Sequence, residues 1–456
     1  MPPALALFLC TIFVILLLRM ERKQNPAASS ALWVPTIWVL LIASRSACRW
    51  FGIYGESIES GNPLDQAVLL VLLFAAFFIL AGRRFDWGGV FRENTWLMLL
   101  IGFEFLSIGW SDIPFISFKR WIRDIMVVPM AFVILSEEYP RQALQSIFRR
   151  TLYILIPFSE VLIKYFPAYG VQYGRWSGGQ MWTGVALEKN GLGRLCLISA
   201  FFLIWVLFRR WKKCDIPVVK YQTHIEVFLL LTTLWLSKGP GSYSATSVGC
   251  LAFGLVVLAG FSMLRKRGVY LSTAITSVVV IGIIVIGTLT PFLHGGTLSS
   301  WAPVLGRDET FTDRTEIWDR LLPRAMQRPI VGHGVGGFWT TQTVGLAEVN
   351  EAHNGYLEVL IDYGFAGLVL ITVFLLSCCR KAHRELTIDY DWGAFWICLL
   401  LMFLLYNITE SSLDWFSAHF AAIIIFLTFC SGGAVAKSPE RVAPAGYHGA
   451  WVLRRP

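Results

Sequence analysis

Charged residues are scarce in this chain. They make up 15% of its 456 residues, against 55% hydrophobic residues, whereas a soluble protein of this size normally carries about a quarter charged residues. This shortage excludes an ordinary soluble globular protein and indicates a membrane protein. The formal net charge is +9, but Lys and Arg sit mostly in short clusters between apolar runs. Membrane orientation explains such clusters better than nucleic-acid binding does, so no nucleic-acid partner is expected.

Several signals of other protein classes are missing. Nine cysteines are present, but none has the spacing of a zinc or redox site, so we interpret them as small apolar residues of helices. The glycine-rich segment 332–337 lacks the Lys-Ser/Thr of a nucleotide-binding P-loop. The N-terminus has neither a basic segment before its first apolar run nor an A-x-A-like cleavage site, which predicts a retained first span over 4–18.

Apolar runs recur along the chain up to residue 430. Because a spanning helix needs about 20 apolar residues, the pattern predicts an all-α, polytopic bundle of about 12 transmembrane helices. We expect one membrane domain over 1–430 and a cytoplasmic tail over 431–456. The candidate cores are 4–18, 31–44, 66–81, 95–110, 121–136, 151–166, 190–208, 224–237, 244–264, 269–290, 355–377, 393–408 and 413–430.

The basic residues predict how the bundle is oriented. Cytoplasmic loops are rich in Lys and Arg, and the basic clusters fall on every second connection between apolar runs. The intervening connections are therefore predicted to face the periplasm of a Gram-negative cell, with the chain in the inner membrane. The clusters lie within 19–23, 83–92, 141–150, 209–220, 265–267, 380–384 and 437–455.

Some basic residues fall in the outward connections, against this orientation bias. An anionic ligand at the outer face would explain why positive charge is kept there, and ion pairs within the protein are the alternative. These residues include Arg120, Arg123, Lys189, Arg194, Arg307 and Arg314.

The longest outward connection, 291–352, is predicted to be a large structured periplasmic loop. Residues 313–316 read D-R-T-E and fit a capping box with Asp313 as the N-cap. Apolar residues then recur at helical spacing until Pro329, which predicts an amphipathic helix. Next comes a glycine turn, residues 332–339, where glycine lets backbone N–H groups approach an oxyanion or a sugar. The apolar positions are Ile317, Trp318, Leu321, Leu322, Ala325 and Met326.

His353 stands directly before the next apolar run, in the segment E-A-H-N-G-Y-L-E at 351–358. Its imidazole is therefore predicted to lie at the outer mouth of a helix, where an ordinary pKa near 6.5 lets it take a proton at neutral pH. A base beside Arg-bearing loops suits transfer chemistry on a lipid-borne phosphate substrate. An interfacial histidine that caps the helix is the alternative, and no ligand spacing supports a metal site with His333.

Three segments together resemble the O-antigen ligase and polysaccharide polymerase family, and most closely its exopolysaccharide polymerase branch. The first is His353-Asn354, nine residues and G-x-x-G at 364–367, where Leu368 replaces the Thr or Val that often follows. The second runs from Gly306 through D-R-T-E-I-W at 313–318 to the glycine turn. The third is G-V-A-L-E-K-N-G-L-G at 184–193.

This resemblance implies an integral membrane glycosyltransferase that uses no metal and no cofactor. Its donor would be an oligosaccharide on undecaprenyl pyrophosphate, its acceptor a sugar hydroxyl that attacks the anomeric carbon with inversion, and its leaving group the lipid pyrophosphate. His353 would be the general base. Without a metal, basic side chains must bind the pyrophosphate and stabilise its charge. The candidates are Arg314, Arg307, Lys189, Arg194, Arg120 and Arg123.

Each of these cations also has a simpler structural interpretation. Arg314 could pair with the nearby Glu316 or Asp313. Lys189 and Arg194, where a loop enters a predicted span, could extend from the helix end to the membrane interface. Arg120 and Arg123 lie one helical turn apart with Asp124 adjacent, so they could form an ion pair with that carboxylate instead of a phosphate clamp.

The expected function is polymerisation of exopolysaccharide repeat units at the periplasmic face, with a polysaccharide export and chain-length complex as a candidate partner. Ligation of a finished glycan to lipid A-core is the same chemistry on another acceptor, and transfer to a protein is a third choice. A transporter or lipid-glycan flippase is the rival from another class. It would be expected to show internal repeats, broken helices and charges at the membrane midplane.

Overall fold

The computed structural model describes residues 1–53, 61–83, 86–173, 178–212, 221–239, 243–293, 310–347, 351–413 and 418–430. In chain order the first helices are α1 Pro3–Gln24, α2 Trp33–Ala43, α3 Ala47–Trp50, α4 Pro63–Ala81, α5 Trp87–Glu93, α6 Thr95–Ser107, α7 Pro114–Ile125, α8 Val127–Leu135, α9 Pro140–Tyr165 and α10 Pro167–Gly170. The later ones are α11 Lys189–Trp211, α12 Gln222–Lys238, α13 Ala245–Lys266, α14 Thr273–Leu289, α15 Thr310–Ala325, α16 Thr341–Ala347, α17 Gly355–Ile388, α18 Tyr390–Tyr406 and α19 His419–Cys430. Short 3₁₀ turns cover Ser30–Leu32, Ile108–Trp110 and Thr290–Phe292.

Many of these helices have the dimensions of membrane spans. Among the described residues, six are long and apolar enough to cross a bilayer: Pro3–Gln24, Pro63–Ala81, Lys189–Trp211, Ala245–Lys266, Thr273–Phe292 and Gly355–Ile388. Shorter apolar helices accompany them. On α4, Phe78 is 84% exposed and Val71 66% exposed, which suits contact with lipid rather than water. The predicted polytopic helical membrane fold is confirmed.

The interior of the bundle is built around α11, α17, α18 and α19. Phe395 on α18 lies at the centre of an aromatic cluster, with its ring centroid 5.4 Å from that of Phe201 and 4.6 Å from that of Trp205 on α11. All three side chains are buried. Close packing of these rings fixes α11 against α18, and these two helices carry the segments that reach the candidate site.

The predicted span over 121–136 is not one helix. The chain forms amphipathic α7, breaks at Met126 and continues as the buried apolar helix α8. Pro129 explains the break, because proline lacks an N–H and its ring clashes with the carbonyl four residues before it, here that of Ile125. The apolar stretch therefore begins later than predicted, and Arg120 and Arg123 lie on α7 instead of at the start of a span.

The amphipathic helix of the long loop is present as α15. Its predicted apolar face packs against the glycine turn and the start of α17, with Trp318 and Leu321 almost fully buried. The predicted capping box is wrong, because α15 begins at Thr310 and Asp313 lies inside the helix. The helix ends at Ala325, before Pro329 as expected.

The structure also contains a two-stranded hairpin, which the all-helical prediction did not include. Strands β1 (Val171–Tyr173) and β2 (Gln180–Trp182) pair antiparallel, with Val171 opposite Trp182. They follow α10 and lead into the segment 184–188 that precedes α11.

Ion pairs join the basic connections to one another. Arg141 at the start of α9 lies 2.5 Å from Glu385 at the end of α17, and Arg210 lies 2.5 Å from Glu226. These contacts gather the basic clusters at one end of the bundle, here called the basic end. Since α17 has 34 residues and rises about 1.5 Å per residue, His353 lies at the opposite end. Further pairs of this kind are Arg150–Glu21, Arg83–Glu137, Arg209–Asp389, Arg265–Asp391 and Arg384–Glu93.

Candidate active site

The start of α17 is fixed by the two residues that follow His353. Asn354 is the N-cap, and its side-chain oxygen accepts from Leu357 N at 2.8 Å. Its amide nitrogen donates to the carbonyls of Gly287 and Ile408 at 3.1 and 2.9 Å. Gly355 packs so closely that a Cβ atom would lie 2.3 Å from a side-chain oxygen of Asn407. The His-Asn-Gly sequence is therefore explained by a capped helix start held tightly against the α18–α19 connection.

His353 itself has a left-handed backbone conformation, with φ of 49°. Few residues other than glycine adopt this region, and such outliers concentrate at functional sites. Its side chain is 25% exposed, and Nδ1 lies 2.7 Å from Oε1 of Glu351 and 3.8 Å from Oε2 of Glu410. The imidazole is thus held between two carboxylates while part of the ring stays accessible.

Glu410, in the α18–α19 connection, is the centre of this cluster. Its carboxylate accepts from Arg314 of α15 at 2.5 Å and from the Asn190 amide of α11 at 3.0 Å. Two residues later, the Ser412 hydroxyl accepts from Arg194 at 3.0 Å. The motif segments 184–193, 313–318 and 351–358 are therefore joined through residues 410–412, which belong to none of them.

The two carboxylates control the protonation of His353. Burial alone would lower the pKa of the imidazole, but hydrogen bonding to Glu351 and Glu410 and their negative charges outweigh it and raise that pKa to about 10. His353 is therefore an imidazolium at neutral pH in this arrangement.

The pKa values of two neighbouring carboxyl groups, Glu351 and Glu188, shift in opposite directions. Burial would raise the pKa of Glu351, yet hydrogen bonding to His353 and the nearby cations bring it below its ordinary value. The pKa of Glu188 is raised, first by burial and then by the charges of Glu351 and Glu410, although Arg194 and His353 act against this. One histidine, three carboxylates and two arginines therefore form a single electrostatic unit.

Comparison with known proteins found a family match that covers part of this cluster. Residues 225–372 match the O-antigen ligase family, a range that includes α15, the glycine turn and His353. This part of the chain is therefore similar to O-antigen ligases. It is also 23% identical, over 323 residues, to the exopolysaccharide production protein ExoQ of Rhizobium meliloti (strain 1021), a match that covers 66% of this chain and 68% of that protein. The family resemblance inferred from the three motifs is confirmed.

The G-x-x-G at 364–367 marks a break in α17. Gly364 has φ of 61° and ψ of −163°, a conformation that essentially only glycine adopts. A Cβ atom there would lie 2.5 Å from the Ile330 carbonyl. The freed N–H groups of Phe365 and Ala366 donate to Pro329 and Ile330 at 2.8 and 3.0 Å, so the backbone before the glycine turn fills the break.

Arg120 also contacts the glycine turn. Its buried guanidinium donates to the carbonyls of Gly336 and, at 2.9 Å, Trp339. Arg123, one turn further along α7, is exposed. The two arginines therefore point to different surroundings, and the contacts of Arg120 are those of a residue that holds the turn in place.

The remaining predicted binding residues fall into three groups. Arg314 and Arg194 converge on the His353 cluster, although the partner of Arg314 is Glu410 and not Glu316 of its own helix. Lys189 is the first residue of α11, next to Asn190. Arg307 lies outside the described residues.

Among the residues that the structure describes, one set of side chains could hold a metal ion. Glu351, His353 and Glu410 each place a possible ligand atom within 4.8 Å of the others. Arg314 and Asn190 already use both oxygens of Glu410, an arrangement typical of an ion-pair network. Transfer without a metal stays a prediction.

Glu410 lies in none of the three sequence motifs. One signal could have found it: between residues 392 and 430 the only Asp, Glu, Lys or Arg residues are Glu410 and Asp414. An isolated carboxylate between two apolar runs at the outer end of the bundle is costly unless it has a partner or a function.

Proposed function

We propose that this protein is a glycosyltransferase of the bacterial inner membrane that polymerises exopolysaccharide repeat units at the periplasmic face. Its donor is an oligosaccharide on undecaprenyl pyrophosphate, and its acceptor is a hydroxyl group of another glycan. The observation that carries this proposal is the convergence of His353, Arg314 and Arg194, from three distant segments, at the end of the bundle opposite the basic end.

The cluster contains the groups that this transfer requires. The acceptor oxygen forms a bond to the anomeric carbon as the bond from that carbon to the pyrophosphate oxygen breaks, and the configuration inverts. The hydroxyl proton passes to the Nε2 atom of His353, while Nδ1–H stays directed at Glu351. The leaving lipid pyrophosphate carries away the bonding electrons, and the guanidinium groups of Arg314 and Arg194 balance its negative charge.

The raised pKa of His353 sets a condition on this mechanism. With a pKa of about 10, only about one imidazole in a thousand is neutral at pH 7. The neutral form is a strong base held in the productive tautomer by Glu351, but it forms only after a proton is lost. We therefore expect the proton-transfer step to accelerate between pH 7 and pH 10.

Polymerisation is favoured over ligation by the similarity to an exopolysaccharide production protein, which covers 66% of the chain. The match to the O-antigen ligase family keeps transfer to lipid A-core as the second candidate, because only the acceptor differs. A flippase is less well supported. The break in α17 at Gly364, which resembles a transporter feature, is filled by backbone contacts, because the N–H groups of Phe365 and Ala366 donate to Pro329 and Ile330.

Deletion of the gene and analysis of the lipid-linked glycans test this proposal. Accumulation of single repeat units on undecaprenyl pyrophosphate is expected for a polymerase, whereas long lipid-linked chains beside an unmodified core would indicate a ligase. Complementation with His353→Ala should fail, whereas His224→Ala, an exposed histidine near the basic end, should restore polymer. If His353→Ala inserts normally and restores polymer of normal yield and length, the catalytic assignment is wrong.

A further inference from the structure

The buried carboxylate of Glu410 has three polar partners, which is more than it would need if it only oriented His353. Glu410 is only 4% exposed, and its carboxylate accepts hydrogen bonds from Arg314 at 2.5 Å and from Asn190 at 3.0 Å. The Nδ1 atom of His353 lies 3.8 Å from the same carboxylate. A guanidinium, an amide N–H and an imidazolium therefore surround one small anion that the protein itself supplies.

These donors match those that a diphosphate group requires. Phosphate oxygens bind guanidinium groups through paired N–H donors and accept from neutral amides, as a carboxylate does. Arg314 cannot direct its full fork at a substrate while Glu410 holds it at 2.5 Å. Substrate binding must therefore break this ion pair, or leave Arg314 out of the binding site.

We propose that Glu410 occupies the place of the substrate diphosphate in the resting protein, and that the diphosphate displaces its carboxylate from Arg314 and Asn190. This inference rests on the proposed function and specifies how its donor is held. Once the glycan has been transferred, the returning carboxylate competes with the lipid pyrophosphate and promotes its release.

The backbone around Glu410 is well suited to a side-chain exchange. The Glu410 carbonyl accepts from Gly355 N at 3.0 Å, and Ser412 N donates to the Asn407 side chain at 2.8 Å. These bonds do not involve the carboxylate. The side chain can therefore leave its partners without unfolding the connection between α18 and α19.

Binding of inorganic pyrophosphate to the purified protein at pH 7, followed by calorimetry in chelator-treated buffer, tests this exchange. Glu410→Gln keeps the shape of the side chain and removes the competing charge. We expect it to bind pyrophosphate about tenfold more tightly than the unmodified protein, because a close charge pair no longer has to be broken. It should also be inhibited by undecaprenyl pyrophosphate at lower concentration.

A matched control is Glu385→Gln. Glu385 is buried and lies 2.5 Å from Arg141, but at the basic end of the bundle, so its substitution should leave pyrophosphate binding unchanged. Unchanged or weaker binding in Glu410→Gln would overturn the exchange. Failure of the unmodified protein to bind pyrophosphate at all would instead count against the proposed function.

A second variant keeps the test decisive if Glu410→Gln does not fold. Glu410→Asp retains the charge but shortens the side chain by one methylene, which draws the carboxylate back from Arg314. An intermediate gain in pyrophosphate affinity is expected, and a loss of affinity would contradict the exchange.

Discussion

Arg314 and Glu410 lie 96 residues apart in the sequence and form an ion pair of 2.5 Å that joins the long loop to the α18–α19 connection. Their side chains are 13% and 5% exposed, so water screens the pair poorly. A contact of this kind ties the loop helix α15 to the membrane bundle beside His353.

A double-mutant cycle tests this connection. Arg314→Gln leaves the buried Glu410 carboxylate without its guanidinium partner, so we expect a loss of about 3 kcal/mol of stability, because removing one partner of a buried ion pair leaves the other charge poorly compensated. Adding Glu410→Gln should recover most of that loss. Thermal unfolding in detergent measures both effects. Additive losses in the double variant would show that the two side chains are not coupled.

The protonation of His353 predicts a specific pH dependence. A nearby carboxylate favours the imidazolium, so Glu351→Gln should lower the pKa of His353 from about 10 toward its ordinary value. If the neutral imidazole is the base, the rising limb of the pH–rate profile moves to lower pH in Glu351→Gln. Glu316→Gln, an exposed carboxylate on α15, is the control. Identical profiles in Glu351→Gln and the unmodified protein would exclude His353 as the titrating base.

The sequence predicted those features of the fold that depend on neighbouring residues in the chain. It predicted less well the helix boundaries that depend on backbone geometry and tertiary contacts. Apolar runs located the helices of the bundle, and the spacing from Ile317 to Met326 identified the buried face of α15. The break at Met126 was missed because hydropathy weighs Pro129 as an apolar residue and ignores its missing N–H. Helix α15 begins before the predicted cap, at Thr310.

In the candidate site, too, individual residues could be predicted from the sequence but their contacts could not. His353 and Arg314 stood in recognisable motifs, but which partner each one meets depends on the packing of α15, α17 and α18. The position of Glu410 in space follows from that packing, and no periodicity in a single sequence encodes it. For the same reason, Arg120 and Arg123 looked equivalent one turn apart, although only Arg120 is buried against the glycine turn.

These two arginines allow a matched comparison of structural and binding roles. Arg120→Ala removes the donors to the Gly336 and Trp339 carbonyls, so we expect a loss of about 1–3 kcal/mol of stability together with loss of activity. Arg123→Ala, at an exposed position, should change stability by no more than about 0.5 kcal/mol. If Arg123 binds pyrophosphate, its variant raises KM for the lipid donor. Equal destabilisation by both variants would contradict the assigned role of Arg120.

The orientation of the bundle can be measured by labelling engineered cysteines in whole cells. Leu187 is 44% exposed in the segment before α11, at the end that holds His353, and Trp211 is 80% exposed at the opposite end of that helix. A membrane-impermeant maleimide should label Leu187→Cys and spare Trp211→Cys until the cells are lysed. Among the described residues the native cysteines are buried, which limits background labelling. The reverse pattern would place His353 in the cytoplasm and exclude transfer at the periplasmic face.

Removal of metal ions tests whether Glu351, His353 and Glu410 form a metal site or belong to an ion-pair network. Their possible ligand atoms lie within 4.8 Å of one another, which is compatible with a divalent cation, but Arg314 and Asn190 already bind Glu410. A cation beside a guanidinium would suffer like-charge repulsion, so we expect the purified enzyme to retain full activity after treatment with EDTA. Loss of activity that Mg²⁺ or Mn²⁺ restores would instead assign the three side chains as metal ligands. In that case Arg314→Gln, which removes the competing cation, should tighten metal binding, whereas for an ion-pair network it should produce no metal dependence.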